Sequence, residues 1–386
     1  NNIFCDQNLN QKINNKKLKI FDINKLNSKS NKKRQENIED NSEKNFLLSF
    51  TSGSTNEPKP IIFNEKTKIL RAKSNIDLYS LKKNDTIIIS TPLHHTLATR
   101  LMTMAIILHS KLVVIENYNF KKFIKLIKKY NIKFTFFISN QISEILNNLD
   151  YLNYLRSLRS IVSSSSTLPN SLKEKLIKNY KGKVFEIYGL SEASIVSNLD
   201  LKKDEKYLGS VGKKIKGVQI KIDNSKNRIG EILIKSKFIF LEYLKNNKIN
   251  LKLTKDGFFK TGDIGYLKKN YLYFIGRKKN IIKRSGISVF IEDIEKKLIK
   301  SGLFKECYMV PIYEKQKIDP KLCLLYVPLK NNHKKIKMYC IDNLNKYHLP
   351  RYFVSSNNIP KNLMGKINRK KLVTLVKKRI SNEKSI

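Results

Sequence analysis

The chain has 386 residues, of which 40% are hydrophobic, and its 77 lysines and arginines against 32 acids give a formal charge of +45. That length and apolar share suit two or three globular domains with sizeable cores. The charge is lysine spread along nearly the whole chain in a Lys/Asn/Ile bias that AT-rich coding produces unaided, which argues against specific nucleic-acid recognition and leaves weak adhesion to anionic surfaces.

Residues 1–45 are polar, with brief apolar interruptions such as Leu18-Lys19-Ile20-Phe21, and read as a poorly ordered segment or the remnant of a longer N-terminus. Phe46 to Phe50 reads as a strand, Thr51 to Lys59 as a polar loop and Pro60 to Phe63 as a second strand. Thr51, Ser52, Gly53, Ser54, Thr55 and Lys59 gather hydroxyls, backbone N–H groups and an ammonium, a set that cradles phosphate oxygens. It lacks the paired glycines and helix-opening Lys-Ser/Thr of the common P-loop, and a flexible Ser/Thr loop is the alternative for the stretch alone.

From Phe46 to Gly189, strand-like runs (Thr86 to Ser90, Leu112 to Ile115, Phe134 to Ser139, Ile161 to Ser164, Val184 to Tyr188) alternate with helical periodicity at Phe120 to Tyr130 and Pro169 to Tyr180. This βαβ rhythm predicts a mainly parallel sheet flanked by helices. Ligands bind outside the carboxyl ends of such strands, here Ser163 to Thr167 and Tyr188 to Glu192. From Gly209 to Gly276 the period becomes two, predicting a β-rich subdomain from about residue 207 within a core domain of residues 46–276. Residues 277–386 read as a small mobile α+β domain hinged near Lys279, with a helix at Ile291 to Lys300, strands at Cys307 to Pro311 and Leu322 to Val327, and helices near Lys334 to Tyr347 and Lys370 to Ile380.

No apolar run approaches the roughly 18 residues of a membrane span. Leu101 to Leu108, continuing to Ile115, is broken by His109 and Lys111. Nothing resembles a signal peptide, and Cys5, Cys307, Cys323 and Cys340 show neither CxxC nor metal spacing, so a cytoplasmic location is expected. The adjacent His94 and His95 suggest a metal, but neighbouring side chains diverge and no further ligand is evident.

Taken in order, the loop from Thr51, Tyr188-Gly189-Leu190-Ser191-Glu192, Thr261-Gly262-Asp263, Gly276-Arg277 with Ile282-Lys283 and Gly286, and Gly365-Lys366-Ile367 with Arg369 resemble the acyl-adenylate-forming superfamily, which includes the acyl-CoA synthetases. Gly209-Ser210-Val211-Gly212 and Gly230-Glu231-Ile232 extend the resemblance over residues 46–372. It implies attack of a carboxylate on the α-phosphorus of ATP, giving acyl-AMP and pyrophosphate, then transfer to a thiol. An anion meeting a polyanion needs cations and donors in place.

The resemblance gives the loop to the β- and γ-phosphates, and Mg²⁺ to Glu192 beside Ser191; a carboxylate at a helix N-terminus is the alternative for Glu192. Tyr188 with Gly189 packs on adenine in this reading, Ser164 and Ser165 bind its edge, and a core tyrosine is the alternative for Tyr188. Asp263 accepts the ribose hydroxyls and Arg277 adds a charged donor, where the bland reading of Asp263-Ile264-Gly265 is a turn. Lys366 matches the catalytic lysine, His95 stands at the acyl-pocket gate and favours an organic or fatty acid over an amino acid, and Lys283 and Gly286 line a thiol tunnel for coenzyme A or a phosphopantetheine carrier protein. Two rivals remain: an adenylating enzyme that loads a carrier protein or stops at acyl-AMP, and a non-catalytic nucleotide-binding remnant.

Overall fold

The structure is a computed structural model that describes residues 2–5, 19–22, 43, 45–50, 60–115, 118–223, 228–240, 242–243, 253–285, 287–313, 319–361 and 367–383. The chain divides into two compact units, residues 1–41 and 42–386. In the first, β1 (Asn2–Cys5) and β2 (Lys19–Asp22) pair in parallel, a local structure the polar sequence did not announce.

The second unit opens with β3 (Asn45–Phe50) and β4 (Pro60–Asn64), antiparallel partners in which Phe50 lies opposite Pro60. β4 runs straight into α1 (Glu65–Leu78), whose first turn is capped by Asn64 accepting from the Thr67 N–H. The alternating region then runs β5 (Ile87–Ile89), α2 (Thr96–Ile107), β6 (Leu112–Val114), α3 (Phe120–Lys129), β7 (Phe136–Ile138), α4 (Ser139–Asn147), β8 (Ser160–Ser164), α5 (Asn170–Asn179) and β9 (Lys183–Leu190). β7, β8 and β9 pair in parallel, as do β5 and β6. Successive strand residues face opposite sides: Phe136, Val162 and Phe185 enter one core cluster, Phe137, Ile161 and Val184 the other. α1 and α2 cover the first face through Ala72, Ala98, Leu101 and Met104, whereas Phe123, Ile127, Ile142 and Leu176 of α3, α4 and α5 cover the second. A sheet buried on both faces explains why its strands are unbroken apolar runs.

After β9 come β10 (Ser194–Asp200), β11 (Lys213–Lys214), β12 (Val218–Asp223), β13 (Gly230–Ser236), β14 (Glu242–Tyr243), β15 (Phe259–Lys268) and β16 (Tyr271–Arg277). All but β14 continue the parallel strands in one nine-stranded sheet, ordered β12-β13-β15-β16-β11-β10-β9-β8-β7. The period-two stretch is therefore the antiparallel wing of the same sheet. The switch falls at β9, parallel to β8 and antiparallel to β10.

Residues 281–383 hold β17 (Ile281–Arg284), β18 (Ile287–Phe290), α6 (Ile291–Lys300), β19 (Phe304–Ile312), β20 (Lys321–Pro328), α7 (His333–Asn343), β21 (Tyr352–Ser355) and α8 (Arg369–Glu383). β19, β20 and β21 form a sheet with a core on each face, Met309, Leu322 and Leu324 packing with α6 and α7, and Val310, Cys323 and Leu325 with α8. Lys296 of α6 donates to the carbonyls of Phe274 (2.5 Å) and Ile275 (3.2 Å) on β16, tying this α+β part to the large sheet.

Candidate active site

Several candidate residues lie at or near the switch in the sheet: Tyr188 on β9, Ser191 and Glu192 in the turn after it, and Asp263, which accepts from Tyr188. β9 and β10 are joined by the tight turn Ser191–Ala193, and Gly189 is required there: a Cβ would stand 2.3 Å from the Ser194 carbonyl oxygen across the ladder. Glu192 lies in this strand-to-strand turn, so the helix N-terminal alternative does not apply. The Thr96 hydroxyl, at the start of α2, donates to Ser191 Oγ at 3.3 Å, and His95 precedes it as the residue that opens α2, its ring 4.3 Å from that of His94. Among the described residues no three His, Cys, Asp or Glu side chains group as metal ligands.

Asp263 is not in a turn. It sits inside β15, directly opposite Arg277 on β16, after Gly262 has taken the left-handed backbone (φ 73°) that glycine adopts without strain. Its backbone N–H donates to Thr261 Oγ1 at 3.0 Å, and that hydroxyl donates to the Ile232 carbonyl at 2.7 Å. The carboxylate is buried. Tyr188 donates to its Oδ2 at 2.8 Å, and Arg277 Nε stands 2.8 Å from Oδ1 as an ion pair that lacks hydrogen-bond alignment. Oδ1 is thus a buried acceptor with unused capacity, beside a guanidinium whose side chain is 45% exposed.

Burial pushes the Asp263 pKa up, Arg277 and the Tyr188 hydrogen bond hold it down, and Glu192 and Glu292 push it up again. Burial and the Asp263 charge drive the Tyr188 phenol well above its usual range. Burial works against the charge on Arg277, but Asp263, Tyr188, Glu192 and Glu292 carry its pKa upward. These mutual influences place Glu192, Tyr188, Asp263 and Arg277 in one electrostatic neighbourhood. Tyr188 itself is packed as a core residue, its ring 5.9 Å from that of Phe274.

At the end of β8, Ser164 is buried and donates to the Phe137 carbonyl at 3.3 Å, and Ser165 takes a left-handed backbone with φ 75°. Lys283 on β17 is directed at its own hairpin, 2.7 Å from Ser288 Oγ. Thr51, Ser52, Gly53, Ser54, Thr55, Lys59, Gly286 and Lys366 lie outside the described residues. What flanks them is defined: Phe50 pairs with Pro60, Lys361 with Ile367, and Arg369 ion-pairs with Glu295 (2.9 Å) and Glu292 (3.5 Å).

Two residues with structural claims on the site were missed by motif reasoning. Thr96 touches Ser191, and Arg71, buried on α1, donates from Nη1 to the Ser191 carbonyl (2.9 Å) and from Nη2 to the Glu192 carbonyl (2.6 Å). The one signal for Arg71 in the sequence is an arginine where lysine is the habit.

The sequence matches the profile of the AMP-binding enzyme family over residues 5–244. It is 27% identical over 343 residues to 2-succinylbenzoate--CoA ligase of Oceanobacillus iheyensis, spanning 85% of this chain and 69% of that protein, and 23% identical over 334 residues to the ligase of the same name from Bacillus subtilis. In fold it is similar to the O-succinylbenzoate coenzyme A synthetase of Bacillus subtilis solved with ATP and magnesium ion, with a TM-score of 0.79 at 21% identity over 96% of this chain and 78% of that one. ATP-bound MatB from Rhodopseudomonas palustris gives a TM-score of 0.76 at 18% identity, over 85% and 67%. With the matched stretch covering more than half its length, this chain belongs to the AMP-binding enzyme family.

Proposed function

We propose that the chain is an AMP-forming acid–thiol ligase: a carboxylate and ATP give acyl-AMP and pyrophosphate, and coenzyme A then displaces AMP. The observation that supports the reading is the Asp263 nest, a buried carboxylate oriented by Tyr188 and ion-paired to a half-open Arg277, its Oδ1 making no aligned hydrogen bond. A short carboxylate in that state accepts the vicinal ribose hydroxyls. Tyr188 then fixes the orientation of Asp263 through its hydroxyl, and the exposed side of Arg277 adds a donor toward ribose and phosphate.

A Mg²⁺ that rides on substrate phosphates needs one or two carboxylates from the protein, and Glu192 at the β9–β10 turn meets that need without a multi-residue cage. When bound, the ion neutralises phosphate oxygen charge. Thr51 to Lys59 hold the β- and γ-phosphates, and Lys366 approaches the carboxylate and α-phosphate as a mobile point charge. His95 gates the acid, with Ser164 and Ser165 beside the base. Residues 277–386 act as a mobile domain turning near Lys279, so that Lys366 withdraws and Lys283 and Gly286 line the thiol path. The buried Cys307 and Cys340 are free thiols that fit a reducing cytoplasm, and no helix among the described residues is long and apolar enough to cross a membrane. The diffuse charge adds at most weak adhesion to anionic surfaces at low salt.

The curated relatives make 2-succinylbenzoate the first acid to try. Carboxylate-dependent ATP–pyrophosphate exchange over a panel of acids, followed by addition of coenzyme A, tests the reading. Exchange with one acid and AMP release on adding coenzyme A are expected; folded, ATP-binding protein that exchanges with none overturns it.

A further inference from the structure

Arg71 is buried on α1 and makes four hydrogen bonds, all to main-chain oxygens of distant segments. Nε donates to Phe238 O (2.7 Å), Nη2 to Phe238 O (2.5 Å) and to Glu192 O (2.6 Å), and Nη1 to Ser191 O (2.9 Å). The guanidinium also lies 4.5 Å above the Phe63 ring on β4. Among the described residues no carboxylate stands within ion-pair distance of Arg71, nor of its neighbours Lys68 and Arg100. Burial and the Arg100 charge press the Arg71 pKa down, and Glu192 opposes them. An uncompensated buried cation is costly, and here its hydrogen-bonding capacity is spent on the turn that carries Glu192.

Arg71 stands on the helix that continues β4 without a loop, and β4 is the ladder partner of β3 at Phe50 and Pro60. One continuous strand and helix therefore runs from Pro60, next to the residue 51–59 stretch, to Arg71 at the Ser191 and Glu192 carbonyls. The planar five-donor fork suits this, because it bridges three carbonyls at fixed angles where an ammonium offers a single point. Phe240 N–H, donating to the same Glu192 carbonyl at 2.9 Å, completes its bonding from the other side.

We propose that Arg71 is a positioning residue for the ligase reaction: by gripping the Ser191 and Glu192 carbonyls, it holds the Glu192 carboxylate at the distance from the phosphate-binding strand base that Mg²⁺-bound ATP requires. This rests on the function proposed above. Residues that orient a metal ligand change metal affinity about 10–100-fold when removed. Arg71 acts through Glu192 and touches no substrate.

The test compares wild type with Arg71→Lys and Arg71→Met by calorimetric titration of ATP at several Mg²⁺ concentrations, with thermal melts and pyrophosphate exchange on the same samples. Arg159→Gln serves as a control that loosens a distant ion pair, with Asp85. Arg71→Lys is expected to remain folded, to need about tenfold or more Mg²⁺ for half-maximal ATP binding, and to regain exchange at high Mg²⁺, while Arg159→Gln melts lower with unchanged Mg²⁺ dependence. A folded Arg71→Lys whose Mg²⁺ dependence equals that of wild type overturns the proposal. Should both Arg71 variants fail to fold, hydrogen exchange of the wild type decides: Mg²⁺ with ATP protects the Glu192–Ser194 and Thr67–Ala72 amides together, and protection confined to the turn overturns it. Wild type that binds ATP with Mg²⁺ but exchanges with no acid overturns the ligase reading alone; wild type that binds no ATP overturns both.

Discussion

Two carboxylates buried in the same sheet are treated in opposite ways. Glu186 on β9 accepts from the Leu168 N–H at 2.7 Å and lies 2.5 Å from Lys173 Nζ, with both side chains 1% exposed. Asp263 on β15 is as deeply buried, 2% exposed, but its partner Arg277 is 45% exposed. Burial raises the pKa of both acids. In the first pair neither partner reaches solvent, and Lys173 also donates to the Leu208 carbonyl at 2.5 Å. Glu186 Oε2, like Asp263 Oδ1, has no aligned hydrogen bond, so the two pairs differ in the exposure of their cations. The second pair has a solvent-exposed cation, the feature that would let a ligand reach it in the function proposed above. On that function, the comparison separates a burial that stabilises the fold from one that would serve binding.

The largest expected effect attacks the fully buried pair. Lys173→Met leaves Glu186 buried without its cation and should cost about 3–5 kcal/mol in denaturant unfolding, with kcat/KM per folded molecule unchanged; adding Glu186→Leu should restore most of the loss. Asp263→Asn should show the reverse pattern, a fall in kcat/KM for ATP of about tenfold to a hundredfold with a small shift in Tm, because it removes a charged acceptor facing the ligand. If both substitutions chiefly lowered Tm, the distinction between the pairs would fail.

A third buried charge sharpens the comparison through pH. Lys68, on α1, donates to Thr99 Oγ1 at 2.7 Å and faces Arg100 and Arg71 with the Phe63 ring at 5.3 Å, and burial, then those two arginines, lower its pKa to about 7. The folded chain therefore binds fewer protons than the unfolded chain between pH 7 and the unfolded lysine value. Stability should rise with pH across that window and level off above it. Lys68→Met should flatten the rise, as read by denaturant melts from pH 7 to 10. The smallest effect concerns the backbone just after β8: Ser165→Gly, at φ 75°, should raise stability by about 1 kcal/mol.

The sequence announces those elements whose burial follows a simple period. α3 and α5 begin and end within a residue of their expected bounds, and α6 matches at Ile291–Lys300, since each has an apolar stripe or a clear boundary. α1 escaped because its buried face includes Thr67, Lys68, Arg71 and Asn75, so no apolar period marks it. α2 read as an apolar run because Leu101, Met104 and Ala105 lie deep in the core beside the equally buried Thr99 and Arg100. The expected β-rich subdomain proved to be continuous with the parallel sheet, since β16 joins β10 through the two-residue β11, too short to signal its pairing. For Asp263-Ile264-Gly265 the bland alternative is a turn, since Asp and Gly are turn residues, and only the ladder with β16 shows the strand. At the site, motif residues were legible by type and order, while Arg71 was not, since its role depends on carbonyls that every sequence possesses.

The reliance of Arg71 on main-chain carbonyls sets how this region responds to mutation. A main-chain oxygen survives any substitution of the residue that carries it, so Ser191 and Phe238 can drift without erasing the acceptors that Arg71 uses. The donor side has no such redundancy. In a chain whose basic residues so outnumber its acids, a clamp built on the backbone keeps one end insensitive to genetic change and concentrates the vulnerability in a single codon.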